Sequence, residues 1–324
     1  MELKGKALFN FLKVSWLEDP TLQVKSWQVE DLAKLSIEEL FKRLKQLGVI
    51  LNEESFYLYA ENSYSPEELV ECVWIDEDDL EGHDQAYLVL FELWRRLLPG
   101  KLCLSVFCDE LDQLIELYDG GELTEEEPLQ NALQVLEDIL DDAVDQEGNA
   151  QEVFATVAPY CAHDLEHFLF DYISDQIAEN NETYASELVE SFYEFVGNRR
   201  RFDFLRSHLI ALSNPDESNR IYERMLEELG DEPDLEVLMQ VAMSLVHHGD
   251  VRLFMKAVKQ AVPLLTTEVD FQNLLTMTAE YFRCLDRDQE AKSIHQLLET
   301  RSQSSLSDRL DPTALSQFIR FLGA

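Results

Sequence analysis

The residues of this chain best placed to do chemistry together are His163-Asp164-Leu165-Glu166-His167, which fit the H-x-x-E-H arrangement of inverted zinc proteases. On a helix the two histidines would sit one turn apart and offer imidazole nitrogens to Zn²⁺, while the glutamate activates a bound water. A third ligand is required. The downstream candidates, Glu179, Glu187, Glu190 and Glu194, lie in a stretch that is acidic throughout, so a match there carries little specificity. The reading favoured over a metal-dependent hydrolase centred on His163, Glu166 and His167 is an exposed acidic helix that happens to carry two histidines.

The other candidates are weaker. Asp76 to Asp84 has no acidic or amide residue at the fifth loop position, and Asp141 to Glu152 lacks both the third ligand and the central glycine, so neither is an EF-hand calcium loop. Cys108-Asp109 has no histidine near it in sequence to activate the thiol. His247-His248 falls at a turn and reads as capping. Arg199-Arg200-Arg201, the one basic run of the second half, reads as satisfying helix ends or the protein's own carboxylates rather than a partner's acidic motif. No G-x-S-x-G, Walker loop or G-x-G-x-x-G is present. The sequence therefore predicts no catalytic, cofactor-binding or metal-ligating residue, no cofactor, and a protein that is not an enzyme.

The elements that would position these residues read as helices. Gly (11) and Pro (9) are scarce in 324 residues, which moves the expectation to an all-α fold. Ser36-Ile37-Glu38-Glu39 is a capping box whose helix carries Leu40, Phe41, Leu44 and Leu47 and stops at Gly48. Ser65-Pro66-Glu67-Glu68 starts another helix with Pro in the first position, where its missing N–H costs nothing. Three short helices over 27–73 could suggest a DNA-reading helix-turn-helix, but Lys42, Arg43 and Lys45 form the one dense basic cluster there and an acidic block follows at once. Tyr87–Leu98 and Leu102–Tyr118, separated by Pro99-Gly100, are apolar enough to form a buried αα-hairpin. Thr124-Glu125-Glu126-Glu127 predicts another helix start by the same capping-box logic, with Leu129, Leu133, Leu136, Ile139 and Leu140 facing inward. The polar segment 146–150 is the expected boundary between domains at 1–148 and 149–324. Further helices are predicted over about 151–159, 163–180, 183–197, 201–212 and 216–229, and Asp311-Pro312 opens a final one.

Residues 235–261 laid over 272–298 at an offset of 37 align Val237 with Leu274, Leu238 with Leu275, Ala242 with Ala279, Leu245 with Phe282, Ala257 with Ile294 and Ala261 with Leu298. A turn falls at the same place in each copy, at His248-Gly249-Asp250 and at Leu285 to Asp288. A helix pair cannot bury its apolar face alone, so repeated pairs stack into a continuous core. With small residues at Ala242 and Ala279 in the first helix and Ala261 and Ala291 in the second, residues 234–301 resemble tetratricopeptide-type helical repeats. These are normally 34 residues long, and Phe254 stands where an alanine is usual. The resemblance covers about a fifth of the chain and implies an α-solenoid with a partner-binding concave face.

Charge is distributed unevenly. The chain carries 65 Asp and Glu against 26 Lys and Arg, for a net charge of −39. Residues 51–160 hold 29 acidic residues against 3 basic, and 161–198 hold 9 against none, while both ends are nearly balanced. Such a field repels nucleic acid and anionic membrane surfaces and attracts basic proteins, although an acidic surface also serves solubility. No uncharged run approaches the roughly 20 residues of a membrane span. The residues from Met1 to Leu17 interrupt their apolar pattern with Glu2, Lys4, Lys6 and Lys13, which predicts an amphipathic helix rather than a secretory signal. Five cysteines without a C-x-x-C pair read as reduced core residues of a cytoplasmic protein. The expectation is thus an all-α chain, a helical N-terminal domain with an acidic surface followed by an α-solenoid. It would act as a scaffold, adaptor or chaperone-like module on a protein partner, with a basic segment as the class the charge favours.

Overall fold

The computed structural model describes residues 2–76, 78–248, 250–301, 310 and 312–323. Glu77 of the expected acidic turn, Gly249 of the first repeat turn and Asp311 before the last helix lie outside the described residues. Among the described residues there are seventeen α-helices and no β-strand. The chain divides into two compact units, Met1–Leu169 with Glu194–Gly197, and Phe170–Tyr193 with Asn198–Ala324.

The first unit contains α1 (Lys6–Glu18), α2 (Ile37–Gln46), α3 (Glu53–Glu61), α4 (Pro66–Val73), α5 (Leu80–Leu97), α6 (Leu104–Asp119), α7 (Glu127–Glu147), α8 (Ala150–Val157) and the start of α9 (Leu165–Ala178). Local chemistry sets most of these limits. Ser36 accepts the Glu39 N–H while the Glu39 carboxylate accepts the Ser36 N–H, which is the expected capping box. Ser65 caps α4 ahead of Pro66. Asp79 accepts the Gly82 N–H and starts α5 seven residues before Tyr87, so part of the acidic turn is helix. The box predicted at Thr124 does not form. The helix begins at Glu127 with Pro128 in its first turn, where a proline fits because N–H groups there have no intrahelical partner. Gly148 ends α7 at φ +81° and Asn149 caps α8, so the expected boundary at 148/149 is a joint between two helices of the first unit.

The core of this unit gathers around α5, in which every residue from Ala86 to Trp94 is buried. Phe56, Leu40, Leu44 and Leu69 from α2, α3 and α4 fill its surroundings. The predicted hairpin of α5 and α6 is not a closely paired unit. The main partners of α5 are α2 and α4, and those of α6 are α1 and α7. Side chains at the Pro99-Gly100 break leave enough chain for the two helices to diverge, and each finds a better apolar face elsewhere.

The second unit contains the rest of α9, α10 (Glu182–Phe192), α11 (Arg199–Ser213), α12 (Pro215–Asp231), α13 (Leu235–His248), α14 (Val251–Ala261), α15 (Glu268–Cys284), α16 (Asp288–Arg301) and α17 (Pro312–Gly323). Helices over 235–301 pack as consecutive neighbours, α13 on α14 and α15 on α16, with α13 also against α15; α11 and α12 pair in the same way. The positions matched at an offset of 37 are buried in both copies, apart from Leu298, which is partly covered. Phe254 and Tyr281 stack with ring centroids 3.8 Å apart, joining α14 to α15. A buried ion pair joins Glu268 at the start of α15 to Arg301 at the end of α16, and the Gln272 amide donates to the same carboxylate at 2.9 Å.

All four tryptophans, Trp16, Trp27, Trp74 and Trp94, lie in the first unit, so their fluorescence reports its unfolding alone. Leu90→Ala, at a fully buried position, is expected to cost about 2–5 kcal/mol in urea unfolding followed this way. Ile75→Ala, at a position 91% exposed, is expected to stay within about ±0.5 kcal/mol.

Candidate functional site

Two buried carboxylates of the first unit lie on one face of α6. Asp109 and Asp112 lie three residues apart on the stripe that also carries Cys108, Leu111 and Ile115, and both are almost fully buried. A carboxylate in that position is tolerable only when its lone pairs are used. Asp109 accepts Asn10 Nδ2 of α1 at 2.8 Å and Gln113 Nε2 at 3.2 Å. Asp112 accepts the Ala162 N–H at 2.8 Å and the His163 N–H at 3.2 Å, and its Oδ1 lies 3.0 Å from His163 Nδ1. On α5, Glu92 is held by Arg95 at 2.8 Å and by Arg96, which also donates to the carbonyls of Ala33 and Leu35. Glu92, Arg95, Asp109, Asp112 and His163 line a polar cavity of about 360 Å³ together with Lys6.

Burial and neighbours shift the titration of several of them. Burial pushes the Asp109 carboxyl up, against the pull of Asn10 and Lys6. Burial also lowers Lys6, with Asp109 opposing. His163 is raised, first by its hydrogen bond to Asp112 and against the effect of burial, with Asp119 and Glu116 adding to the rise. The hydrogen bond with Glu92 raises Arg95. A second buried cluster lies on α4, α5 and α6, where Glu67 accepts Tyr87 Oη at 2.7 Å and Ser105 Oγ at 3.0 Å. Gly5, at φ +54°, passes so close that a Cβ would meet Glu67 Oε1 at 2.8 Å and Tyr87 Oη at 2.9 Å, so only glycine fits there.

The H-x-x-E-H residues do not share a helix face. Asp164 Oδ1 accepts the His167 N–H, and α9 begins at Leu165, leaving His163 in the preceding turn. An aspartate immediately before a helical start is a strong N-cap, and here it separates the histidines that the motif would pair. His163 is partly buried and tied to Asp112 rather than exposed on an acidic helix, a correction to the sequence reading that only the approach of α6 explains. Glu166 Oε2 accepts the Gly197 N–H at 2.8 Å, and His167 is exposed. Cys108 is buried with Cys161, whose thiol is driven up by its hydrogen bond to Cys108 and by burial. The arginine triplet meets the protein's own groups, as expected: Arg199 lies over Tyr193, Arg200 pairs with Glu232 and Arg201 with Glu236.

The sequence reading missed the buried carboxylates. Their one sequence signal is position, since Asp109 and Asp112 fall on the apolar stripe of α6 and Glu92 within the apolar run of α5. No described helix is long and apolar enough to cross a membrane.

Because the His163 folded pKa lies above its unfolded value, the Asp112 contact stabilises most below about pH 6.5 and loses its charge-assisted part as pH rises through the folded pKa. Asp112→Asn is therefore expected to cost about 1.5–3 kcal/mol at mildly acidic pH, and less above that transition. Tryptophan-detected urea midpoints of both proteins across pH 5.5–8.5, with the His163 titration followed by NMR, measure the window.

No protein-family model, no curated protein and no solved structure matches this chain.

Proposed function

We propose that this chain is a non-catalytic protein-interaction module, a scaffold, adaptor or chaperone-like protein of the cytoplasm. In this reading its first unit recruits a basic segment of a partner protein, and its second unit is a tetratricopeptide-like α-solenoid whose helix pairs offer the holding groove. Neither nucleic acid nor a membrane surface is the partner, since the net charge of −39 repels both. The single observation that carries the recruiting step is α7. Its inner stripe, Leu129, Leu133, Leu136 and Leu140, is buried, whereas Asp138, Asp141, Asp142 and Asp145 face solvent, take part in no ion pair among the described residues and have no Lys or Arg on their own helix. Charges merely serving as structure would be compensated, as Glu92, Glu232 and Glu236 are. The consecutive packing of α11 through α16 and the burial of the matched repeat positions support the solenoid. The apolar surface formed by Val262, Pro263, Leu315, Ile319 and Leu322, beside Lys259, supports the groove.

Long-range attraction to a basic segment acts mainly on the rate of association. Raising ionic strength from about 0.05 M to 0.5 M shortens the Debye length from roughly 14 Å to about 4 Å. The on-rate of a Lys- and Arg-rich peptide is expected to fall by about tenfold or more over that range, with dissociation changing less. Neutralising Asp138, Asp141, Asp142 and Asp145 to Asn is expected to remove most of that salt dependence. Stopped-flow binding kinetics on both proteins decide: an on-rate indifferent to salt, or to the fourfold variant, leaves α7 as a solvating surface only.

A further inference from the structure

The last helix of the second unit is fastened on one side and open on the next. Phe318 of α17 packs on Phe271 of α15 with ring centroids 5.8 Å apart, and Phe321 packs on Phe282 at 5.7 Å. The adjacent stripe of α17, Leu315, Ile319 and Leu322, follows helical spacings of four and three. It stands across from Val262 and Pro263, in the 3₁₀ turn Val262–Leu264 that follows α14, and a groove of about 340 Å³ remains between them. Val262 and Leu322 are buried, whereas Ile319 is 49% exposed, so the groove is open to solvent along that side chain. Lys259, one turn before Pro263, is the one lining residue with a polar side chain. Its ammonium enters no hydrogen bond or ion pair among the described residues. The chain has 65 carboxylate side chains, yet none of them lines this groove. Nor does this part of the chain repel an anion as the first unit does, since residues 199–324 hold 15 basic residues against 20 acidic.

These features select a ligand by what they offer and what they lack. The walls carry no aromatic ring on which a planar ligand would stack, and no hydroxyl, amide or carboxylate side chain to hold a sugar or a nucleoside. An extended peptide would bring main-chain amides that such walls leave without partners. A saturated hydrocarbon chain brings no polar atom into the groove and gains from every methylene covered. An anionic end group then meets the one unpaired cation at the rim. The volume lies within the range of small-ligand sites.

We propose that this groove binds a free aliphatic monocarboxylate of medium chain length, with the hydrocarbon against Val262, Pro263, Leu315, Ile319 and Leu322 and the carboxylate on the Lys259 ammonium. Binding is reversible and no covalent bond changes. The proposal goes beyond the interaction reading, because it needs no partner protein and gives the groove an occupant that would exclude one. It is also independent of the acidic face of α7.

Octanoate is the probe, titrated into the full-length protein with its Ile, Leu and Val methyl groups observed by NMR. Saturable shifts are expected at Val262, Leu315, Ile319 and Leu322. Each covered methylene tightens binding by up to about fourfold, so hexanoate is expected to bind about tenfold more weakly. Octanol isolates the head group and is expected to bind about fivefold more weakly than octanoate, the upper range of one solvent-facing ion pair. Lys259→Gln is expected to weaken octanoate by the same factor of about five and to leave octanol unchanged. Lys259 is exposed, so the variant keeps its fold, and its methyl spectrum reports this directly. Ile319→Asp, which puts a like charge into the groove, is expected to weaken octanoate by about tenfold or more. Shifts that do not saturate, or that centre on other methyl groups, overturn the proposal. Equal affinities for octanoate and octanol, or an octanoate affinity indifferent to Lys259→Gln, overturn it as well and leave the surface to a partner segment.

Discussion

The carboxylate of Asp112 is the contact on which the rest of the first unit depends. It lies in the middle of α6, out of solvent, in a chain that already carries 65 acidic residues. An ionised oxygen there costs several kcal/mol unless hydrogen bonds use its lone pairs. Two backbone N–H groups and the His163 ring, about fifty residues away in sequence, do so. The contact fixes the turn before α9 against α6. The same turn region receives the Lys4 N–H at the Pro159 carbonyl, which brings α1 onto α6 as well. Three segments distant in the chain thus converge, and the polar cavity is the space their charged side chains leave between them.

The second unit solves the same problem with less charge. Its core is made of repeated apolar layers, in which Val237, Leu238 and Ala242 of α13 correspond to Leu274, Leu275 and Ala279 of α15. The buried ion pair of Glu268 with Arg301 joins the start of α15 to the end of α16. Such a pair adds little net stability over an apolar replacement, but removing one member leaves an uncompensated interior charge. Stacking of Phe254 on Tyr281 then carries the packing from one pair to the next.

The acidic residues therefore divide into two populations with different consequences. Those inside, Glu92, Asp109 and Asp112, are held by hydrogen-bond donors and position structure. Those on the outer face of α7 keep their full field, and field without compensation acts on molecules at a distance. The apolar stripe of α7 lies between the charged face and the interior.

Local physics was legible in the sequence. The Ser36 capping box, the proline start at Ser65-Pro66, the leucine stripe of α7 and the repeated apolar positions of 235–298 each depend on residues within one or two turns, so short-range pattern determines them. Even the misplaced start of α7 had a local cause, in Pro128. The tertiary structure decided which neighbours α5 and α6 take, that His163 leaves the helix of His167 to meet Asp112, and that Lys6 shares a cavity with Asp109. Periodicity assigns a residue to a face but does not say what faces it. For an apolar side chain that information is dispensable, because any apolar neighbour serves. A buried charge needs a particular donor at hydrogen-bond distance, and here that donor comes from a segment tens of residues away whose approach is settled only when the whole unit packs.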